Sequence, residues 1–576
     1  MRKYFNPAVC AVIAVASLSS CSFLDQEPTV ICSETFYKSQ DEVLYGLAGV
    51  YGVINSLQLY GVDYSLYLSG VDDLSWYNRS SSNQFSNFYQ HDASTAEIYD
   101  TWTWLYKGIN NANAFMDALG ESDLDPDGRM YAEARFLRAF YHFLLAQAWG
   151  DVPLRDCSVT SYDKANLAAT SQYEVLAWVA AEMEACLPDL SEGLEHTPSR
   201  VCRSVAQGLL ARVCLFMAGK SVMGGDKRAL YAQAREWAGT VIATGAHQLN
   251  PSYSQVFINM IGDRYDTEYH ESMWEADFVG DRSSADRWSN GTIGCMIGLQ
   301  STAIDDLASL RCNYAYGMYN GSLKLWDLYW EADRTEDEVR LDEVTDVRQA
   351  WNLPPYNYAG YTGSMPIYPY GGDESMGKPR NSKDRTPYYT SGASGFVTTN
   401  EDPLVVPGNR NCGKWRRETE YEPVSSVAKA QFTQINFPIL RYADVLLMYA
   451  EADLESSGSV SQEAYDCVKQ VRDRAGIKTK PYEVYDAASF RQLVRTERGR
   501  ELCFEALRKY DLIRWGIFTD AMKDYSRYAG DLRWSEMTTT RYALNMASFV
   551  KERHIVYPIP SIELGVNTLL RQNPLW

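Results

Sequence analysis

The chain reads as a mostly α-helical protein of tetratricopeptide-like helical hairpins, with a long loop-rich stretch set into the scaffold. Three observations predict this class. Apolar residues recur at helical spacing in Ala-rich segments of about 20 residues joined by short connections. The pattern then gives way from about 251 to 433 to Gly, Pro, Ser, Asn and Tyr. Helical spacing returns over 440–455, 462–475 and 488–506.

The first helix is expected over 39–57, where Val43, Leu47, Val50 and Ile54 share a face. Residues 59–94 break that pattern and hold Tyr60, Tyr64, Tyr67, Trp76, Tyr77, Phe85, Phe88 and Tyr89 among Ser, Asn, Gly and Asp, so a ring-rich loop is expected there. Helices follow over 96–119 and 129–149, the second stopped by Gly150-Asp151-Val152-Pro153. Further helices are expected over 171–187, 199–218 and 227–244. The strict 34-residue tetratricopeptide signature is absent, so any repeats are degenerate. Between 251 and 433 only 322–331 has clear helical spacing. A stretch this long without its own regular structure usually carries function. The segments expected are 1–20 as a signal peptide, 21–38 as a tether, 39–250 as an N-terminal helical-hairpin part, 251–433 as the loop-rich region and 434–576 as a C-terminal helical part.

The N-terminus carries an address. Arg2 and Lys3 precede an apolar run from Ala8 to Val15, and Leu18-Ser19-Ser20-Cys21 closes it. The run is far short of the roughly 20 residues of a membrane span. A Cys directly after Leu-Ser-Ser resembles the bacterial lipobox. The resemblance implies that Cys21 is acylated, becomes the first mature residue, and tethers roughly 555 exported residues to a membrane.

Composition narrows the partners. With 54 Lys plus Arg against 74 Asp plus Glu, the formal charge is −20, and it becomes −22 once Arg2 and Lys3 leave. That balance argues against nucleic acid and polyanionic ligands. The 41 Tyr, 15 Trp and 19 Phe supply many flat faces with polar tips, the chemistry that stacks on sugars. Helical cores also consume rings, so the rings outside helices are the informative ones. The 12 Cys are scattered, their spacing dictates no disulfide, and Cys202, Cys214 and Cys503 sit in apolar helical patterns as small core residues.

No catalytic or metal constellation emerges: HExxH, GxSxG and a phosphate loop are missing, and His142 and His554 lack ligand spacing. Asp123, Asp125, Asp127 and Gly128 imitate the start of a calcium loop. Position twelve is Ala134 rather than Glu, and Pro126 interrupts, so an acidic turn between helices is expected. No cofactor is expected.

Residues 437–452, running from Phe437-Pro438-Ile439-Leu440-Arg441-Tyr442-Ala443-Asp444 to Ala450-Glu451-Ala452, closely resemble the sequence entering a late helix of the SusD/RagB family. Val471-Arg472-Asp473-Arg474-Ala475-Gly476, Glu497-Arg498-Gly499-Arg500-Glu501-Leu502, Asp511-Leu512-Ile513-Arg514-Trp515-Gly516, Pro558-Ile559-Pro560 and Gln572-Asn573-Pro574 extend the match. So do Glu133-Ala134-Arg135-Phe136-Leu137-Arg138 and Trp149-Gly150-Asp151-Val152-Pro153. The resemblance covers most of the chain outside the loop-rich middle. It implies a right-handed superhelical scaffold and a lipoprotein on the outer face of the outer membrane. It also implies that an oligosaccharide or polysaccharide is captured and passed to a SusC-like TonB-dependent transporter. These motifs are scaffold; Arg441, Asp444, Arg498 and Arg514 are expected to form ion pairs between hairpins.

The ligand residues are therefore sought in the ring-rich loops. Trp76 and Tyr77 are candidates in the first, with Asn78 and Arg79 as hydrogen-bonding neighbours. Trp288, Tyr316, Tyr319, Trp351 and Tyr356 are candidates in the second, with Asn290 beside them. At least two of the set should meet on one face. A peptide- or protein-binding lipoprotein of the same fold is the alternative, and a glycoside hydrolase or a purely structural scaffold are further ones. The identity of the glycan, the disulfide connectivity and a structural calcium are left open by the sequence.

Overall fold

The computed structural model describes residues 37–79, 89–120, 122–159, 161, 164–194, 197–279, 290–301, 304–306, 310–330, 346–354, 410–418, 420, 431–528 and 540–576. Cys21, Trp288 and Tyr356 lie outside them.

The expected hairpins are there. Helix α1 (Gln40–Tyr51) starts where Ser39 accepts from the Glu42 amide. Two π-type segments, Leu57–Gly61 and Asp63–Leu68, and strand β1 (Ser75–Tyr77) occupy part of the stretch expected as loop. Helices α2 (Ala96–Leu119) and α3 (Arg129–Trp149) pack as a pair. They approach so closely that a Cβ on Gly108 would stand 2.6 Å from the Tyr141 ring. The acidic turn between them caps α3: Asp125 accepts from the Met130 and Tyr131 amides at 3.2 and 2.8 Å. Helix α3 ends at Gly150, whose φ of 80° suits glycine.

Helices α4 (Gln172–Cys186), α5 (Arg203–Ala218) and α6 (Lys227–Ala243) continue the stack. The sequence pattern starts α5 at 199, four residues early. Residues 198–202 have other bonding: the Pro198 carbonyl accepts from the Glu275 amide at 2.8 Å, and Cys202 is extended.

Helix α7 (Tyr253–Ile261) and strand β2 (Ser272–Ala276) follow, then α8 (Ile293–Ile297), β3 (Ile304–Asp306), β4 (Leu310–Cys312), β5 (Tyr319–Gly321), α9 (Leu323–Trp330) and α10 (Val347–Asn352). Strand β6 (Phe437–Arg441) pairs antiparallel with β2 and runs straight into α11 (Tyr442–Ser457). Helix α11 packs on α6, so the C-terminal helices extend the N-terminal stack. Helices α12 (Gln462–Arg474) and α13 (Ala487–Leu502) pack on α11, and α13 starts in an Asp486–Ser489 capping box. Shorter helices α14 (Arg508–Arg514), α15 (Phe518–Lys523), α16 (Thr540–Phe549) and α17 (Ser561–Val566) complete the described chain. One hydrophobic cluster joins both halves, from Val43 to Leu570.

The family-like arginines do pair in the interior. Arg441 meets Glu505 and Glu271 at 2.8 Å and Glu501 at 3.1 Å. Arg474 meets Glu271 and Glu501, and Arg348 reaches Asp346, Glu497 and Glu501. Nearby, Arg498 bridges Asp444 and Asp511, and Arg514 bridges Asp511 and Glu451. Burial opposes charge at Asp444, but Arg498 and Arg212 outweigh it and hold the carboxyl at about 2. His142 is a satisfied core residue. Its Nδ1 donates to the Arg138 carbonyl, its Nε2 accepts from the Arg155 amide, and burial pushes it down to about 4.

Glu275 on β2 is the opposite case. Burial, against the pull of Ser272 and Asn436 and reinforced by Asp277 and Asp263, pushes its carboxyl up to about 7, and among the described residues its Oε2 has no hydrogen-bond partner. A carboxyl raised in the fold contributes fully below its unfolded value near 4.5, and that contribution is lost as pH rises through about 7. Glu275→Gln is therefore expected to raise the melting temperature relative to the parent at pH 8. The gain should be of order 1–3 kcal/mol and should vanish near pH 4.5. Thermal melts at the two pH values check it; an equal shift at both would remove ionisation as the cause.

Candidate functional site

The two ring-rich regions meet. Strand β1 pairs antiparallel with β5, setting Trp76 opposite Asn320 and Tyr77 opposite Tyr319. The ladder continues through the Asn78 amide, which donates to the Met318 carbonyl at 2.8 Å. A buried amide network pins the turn before β5. Asn78 donates to the Gly317 carbonyl and to Asn320 Oδ1, and Asn411 donates to the same two acceptors. Gly317 has φ 57°, and a Cβ there would lie 2.8 Å from the Gln300 amide nitrogen, so this position requires glycine.

Most of the expected platform is interior. Trp76 is 0% exposed and donates through Nε1 to the Gly321 carbonyl. Trp351, on α10, is 4% exposed and lies under the Arg416 guanidinium, 3.9 Å from the ring centre. Tyr319 is buried, with its hydroxyl on the Leu66 carbonyl. Tyr77, Asn78 and Asn290 are buried as well. The expectation that Trp76 and Trp351 present open stacking faces is corrected by this burial: their faces are spent on neighbours in the protein. Short strands look like loops in sequence when their partner is more than 240 residues away, which is why Trp76 reads as a surface ring.

A different arrangement remains near the surface. Burial alternates along 313–319: Asn313, Ala315, Gly317 and Tyr319 are buried, while Tyr314, Tyr316 and Met318 are half-exposed. This is the period-two pattern of extended chain. The Tyr314 and Tyr316 rings stand edge to face, with centres 5.0 Å apart at 84°. One ring therefore offers a face and the other an edge, forming a corner. The backbone beneath is clamped. Arg417 donates to the Tyr314 carbonyl at 2.5 Å, Arg79 to the Tyr316 carbonyl at 2.6 Å, and the Tyr316 amide donates to the Cys295 carbonyl at 2.7 Å. Arg79 is half-buried, holds the Asn78 side chain, and sits close enough to the Tyr314 hydroxyl to influence its ionisation. Partial burial, with Tyr316 beside it, raises the Tyr314 hydroxyl above its ordinary value.

Of the sequence candidates, Tyr316 and Arg79 thus lie at this corner. Tyr314 and Met318 also lie here and are not among those candidates. Their signal in the sequence is the alternation Tyr314-Ala315-Tyr316-Gly317-Met318. Among the described residues, no group of His, Cys, Asp and Glu is arranged to hold a metal ion.

Residues 270–576 match the model of the SusD family, more than half of the chain. The chain belongs to the SusD family. Residues 22–215 match a second model, described as starch-binding associating with outer membrane. SusD-like protein P25 of Formosa agariphila is 24% identical over 98% of this chain and 97% of its own length. The starch-binding protein SusD of Bacteroides thetaiotaomicron is 22% identical over 82% of this chain and 78% of its own length. A solved SusD homologue from Bacteroides thetaiotaomicron superposes with a TM-score of 0.75 at 24% identity, covering 94% of this chain and 98% of that one. The SusD family is one of carbohydrate-binding proteins associated with the outer membrane, and the helical fold described above is its fold.

Proposed function

We propose that this SusD family protein captures a neutral or weakly charged glycan at the cell surface and hands it to a TonB-dependent transporter, without cleaving it. The observation that carries the reading is the Tyr314–Tyr316 corner: two half-exposed rings on a clamped extended segment, with the Arg79 guanidinium alongside. A pyranose C–H face packs on one ring while its hydroxyls reach the tyrosine hydroxyls and polar groups at the edge. Little ordering is required on binding, because the amides of Ala315, Tyr316 and Met318 and the carbonyls of Tyr314, Tyr316 and Gly317 are already engaged. The net charge of −20 disfavours heavily sulfated polymers through long-range repulsion. A single such site is expected to bind in the micromolar to millimolar range, about 4–8 kcal/mol.

Calorimetry on a panel of neutral and anionic polysaccharides, with product analysis of each mixture, tests this. Heat of binding with unchanged polymer length supports capture. Shortened polymer would make the protein a hydrolase, and binding only to heparin-like polymers would reverse the charge argument. Delivery has its own test, purification in mild detergent from cells expressing the transporter. The expected result is a stable complex, and recovery of the protein alone would count against it.

The surface address is proposed to depend on Cys21, whose acyl chains would each bury about 0.8 kcal/mol per CH₂ in the bilayer. Cys21→Ala is expected to move the protein from the membrane to the soluble fraction. Retention in outer membrane after a high-salt wash would rule out acylation of this sulfur as the anchor. Protease applied to intact cells should shave the parent protein if it faces outward.

A further inference from the structure

We infer that a second saccharide site lies in the groove between α7 and the loop 263–269, distinct in its lining from the Tyr314–Tyr316 corner. The groove has a volume of about 370 Å³, within the range of small-ligand sites of roughly 300–1,000 Å³. The inference rests on the saccharide-capture reading above.

The groove is built rather than incidental. Asp266 closes the loop on itself: Oδ1 accepts from the Glu268 and Tyr269 amides, and Oδ2 accepts from Asn250 Nδ2 at 3.1 Å. Asn250 is buried, and its amide donates to Glu271 Oε2 at 2.7 Å, which ties the floor to the interior ion network. On the opposite wall α7 is held by Tyr253 and Phe257 in the core. Its outward face then presents Gln255 and Asn259, one turn apart. Gln255 Nε2 donates to Asn259 Oδ1 at 2.7 Å. That bond orients the Gln255 carbonyl oxygen and the Asn259 amide N–H groups as an acceptor and donors for a ligand. Tyr265 and Tyr269 are half-exposed at the rim, and the Tyr265 hydroxyl donates to Asp277 at 3.0 Å, which fixes its ring.

The chemistry of the lining selects the class. Amides, hydroxyls and two tyrosine rings suit uncharged hydroxylated rings. Among the described residues, Asp266 and Glu268 line the groove and no Lys or Arg does, so this wall disfavours uronates and sulfated sugars. Apart from Pro251 and the rings, the described lining holds no apolar side chain to anchor a peptide. A neutral saccharide is the ligand this wall recognises. Two separated sites on one protein would raise retention of a long polymer through effective concentration, without tighter contact at either.

The test uses the full mature chain and three neutral probes, laminarihexaose, xylohexaose and mannohexaose, with a galacturonic acid hexamer as the anionic control. Binding is measured for the parent, a corner variant (Tyr314→Ala with Tyr316→Ala), a groove variant (Gln255→Ala with Asn259→Ala and Tyr269→Ala) and the combination. Melting temperatures confirm folding of each; Gln255→Glu with Asn259→Asp serves as a size-matched second groove variant. The expected result is residual neutral binding in the corner variant that weakens at least tenfold in the combined variant. A combined variant that binds as well as the corner variant overturns the groove site and leaves the corner standing. Loss confined to the groove variants, with the corner variant unchanged, supports the groove and overturns the corner. Preference of the corner variant for the galacturonic acid hexamer overturns the neutral class. Absence of any binding by the parent overturns both.

Discussion

Glu501→Gln is expected to lower stability by about 3–5 kcal/mol, the cost of removing one member of a buried ion network. Glu501 receives Arg441, Arg474 and Arg348 together. Burial opposes its charge, but Arg474, Arg441 and Arg348 outweigh that and hold the carboxyl far below the ordinary carboxylate range. The substitution keeps shape and removes charge, so the three guanidinium groups lose their common counter-ion in a buried setting. Arg441→Met should be of similar size, because it abandons Glu505 and Glu271 as well. Thermal or urea unfolding of the two variants measures this. Melting temperatures within a degree of the parent would mean that the network contributes little. The network spans β6, α10, α12, α13 and the 410–418 segment, so its loss would also loosen the helix that carries Trp351.

Truncating the buried indoles comes second. Trp76→Ala and Trp351→Ala are each expected to cost about 3–5 kcal/mol, as large core rings do, and to affect ligand binding only through unfolding. Tyr314→Ala and Tyr316→Ala should behave in reverse: under about 1 kcal/mol of stability each, since half-exposed rings bury less, and a clear loss of affinity. A platform built from Trp76 and Trp351 would show the opposite pairing.

Much of the scaffold was legible in the sequence, and the reason is local. The helices at 96–119 and 129–149 are found where their periodicity places them, because a 3.6-residue stripe of apolar side chains needs no distant partner to be seen. The acidic turn at 123–128 and the stop at Gly150 are equally local. Legibility fails where pairing is non-local. Nothing in the run from Leu74 to Asn78 reveals that residues 319–321 lie against it, so in sequence a three-residue strand looks like loop and Trp76 like a surface ring. Helix α7 is hard to see in the sequence for another reason: it is only nine residues long and is flanked by the turn-like runs Asn250-Pro251-Ser252 and Gly262-Asp263. At the candidate site, Tyr316 and Arg79 were reachable from composition, but Tyr314 required the two-residue alternation to be taken as a face. Trp288 and Tyr356 fall outside the described residues.

One comparison tests glycan capture by this protein most directly. Calorimetric titration of a neutral oligosaccharide that the parent binds is repeated on Tyr314→Ala with Tyr316→Ala, alongside the melting temperature of each. Two stacking contacts of about 1 kcal/mol give a loss of roughly ten- to thirtyfold in affinity, with the melting temperature nearly unchanged. Affinity equal to that of the parent in a folded double variant would contradict capture on the Tyr314–Tyr316 corner.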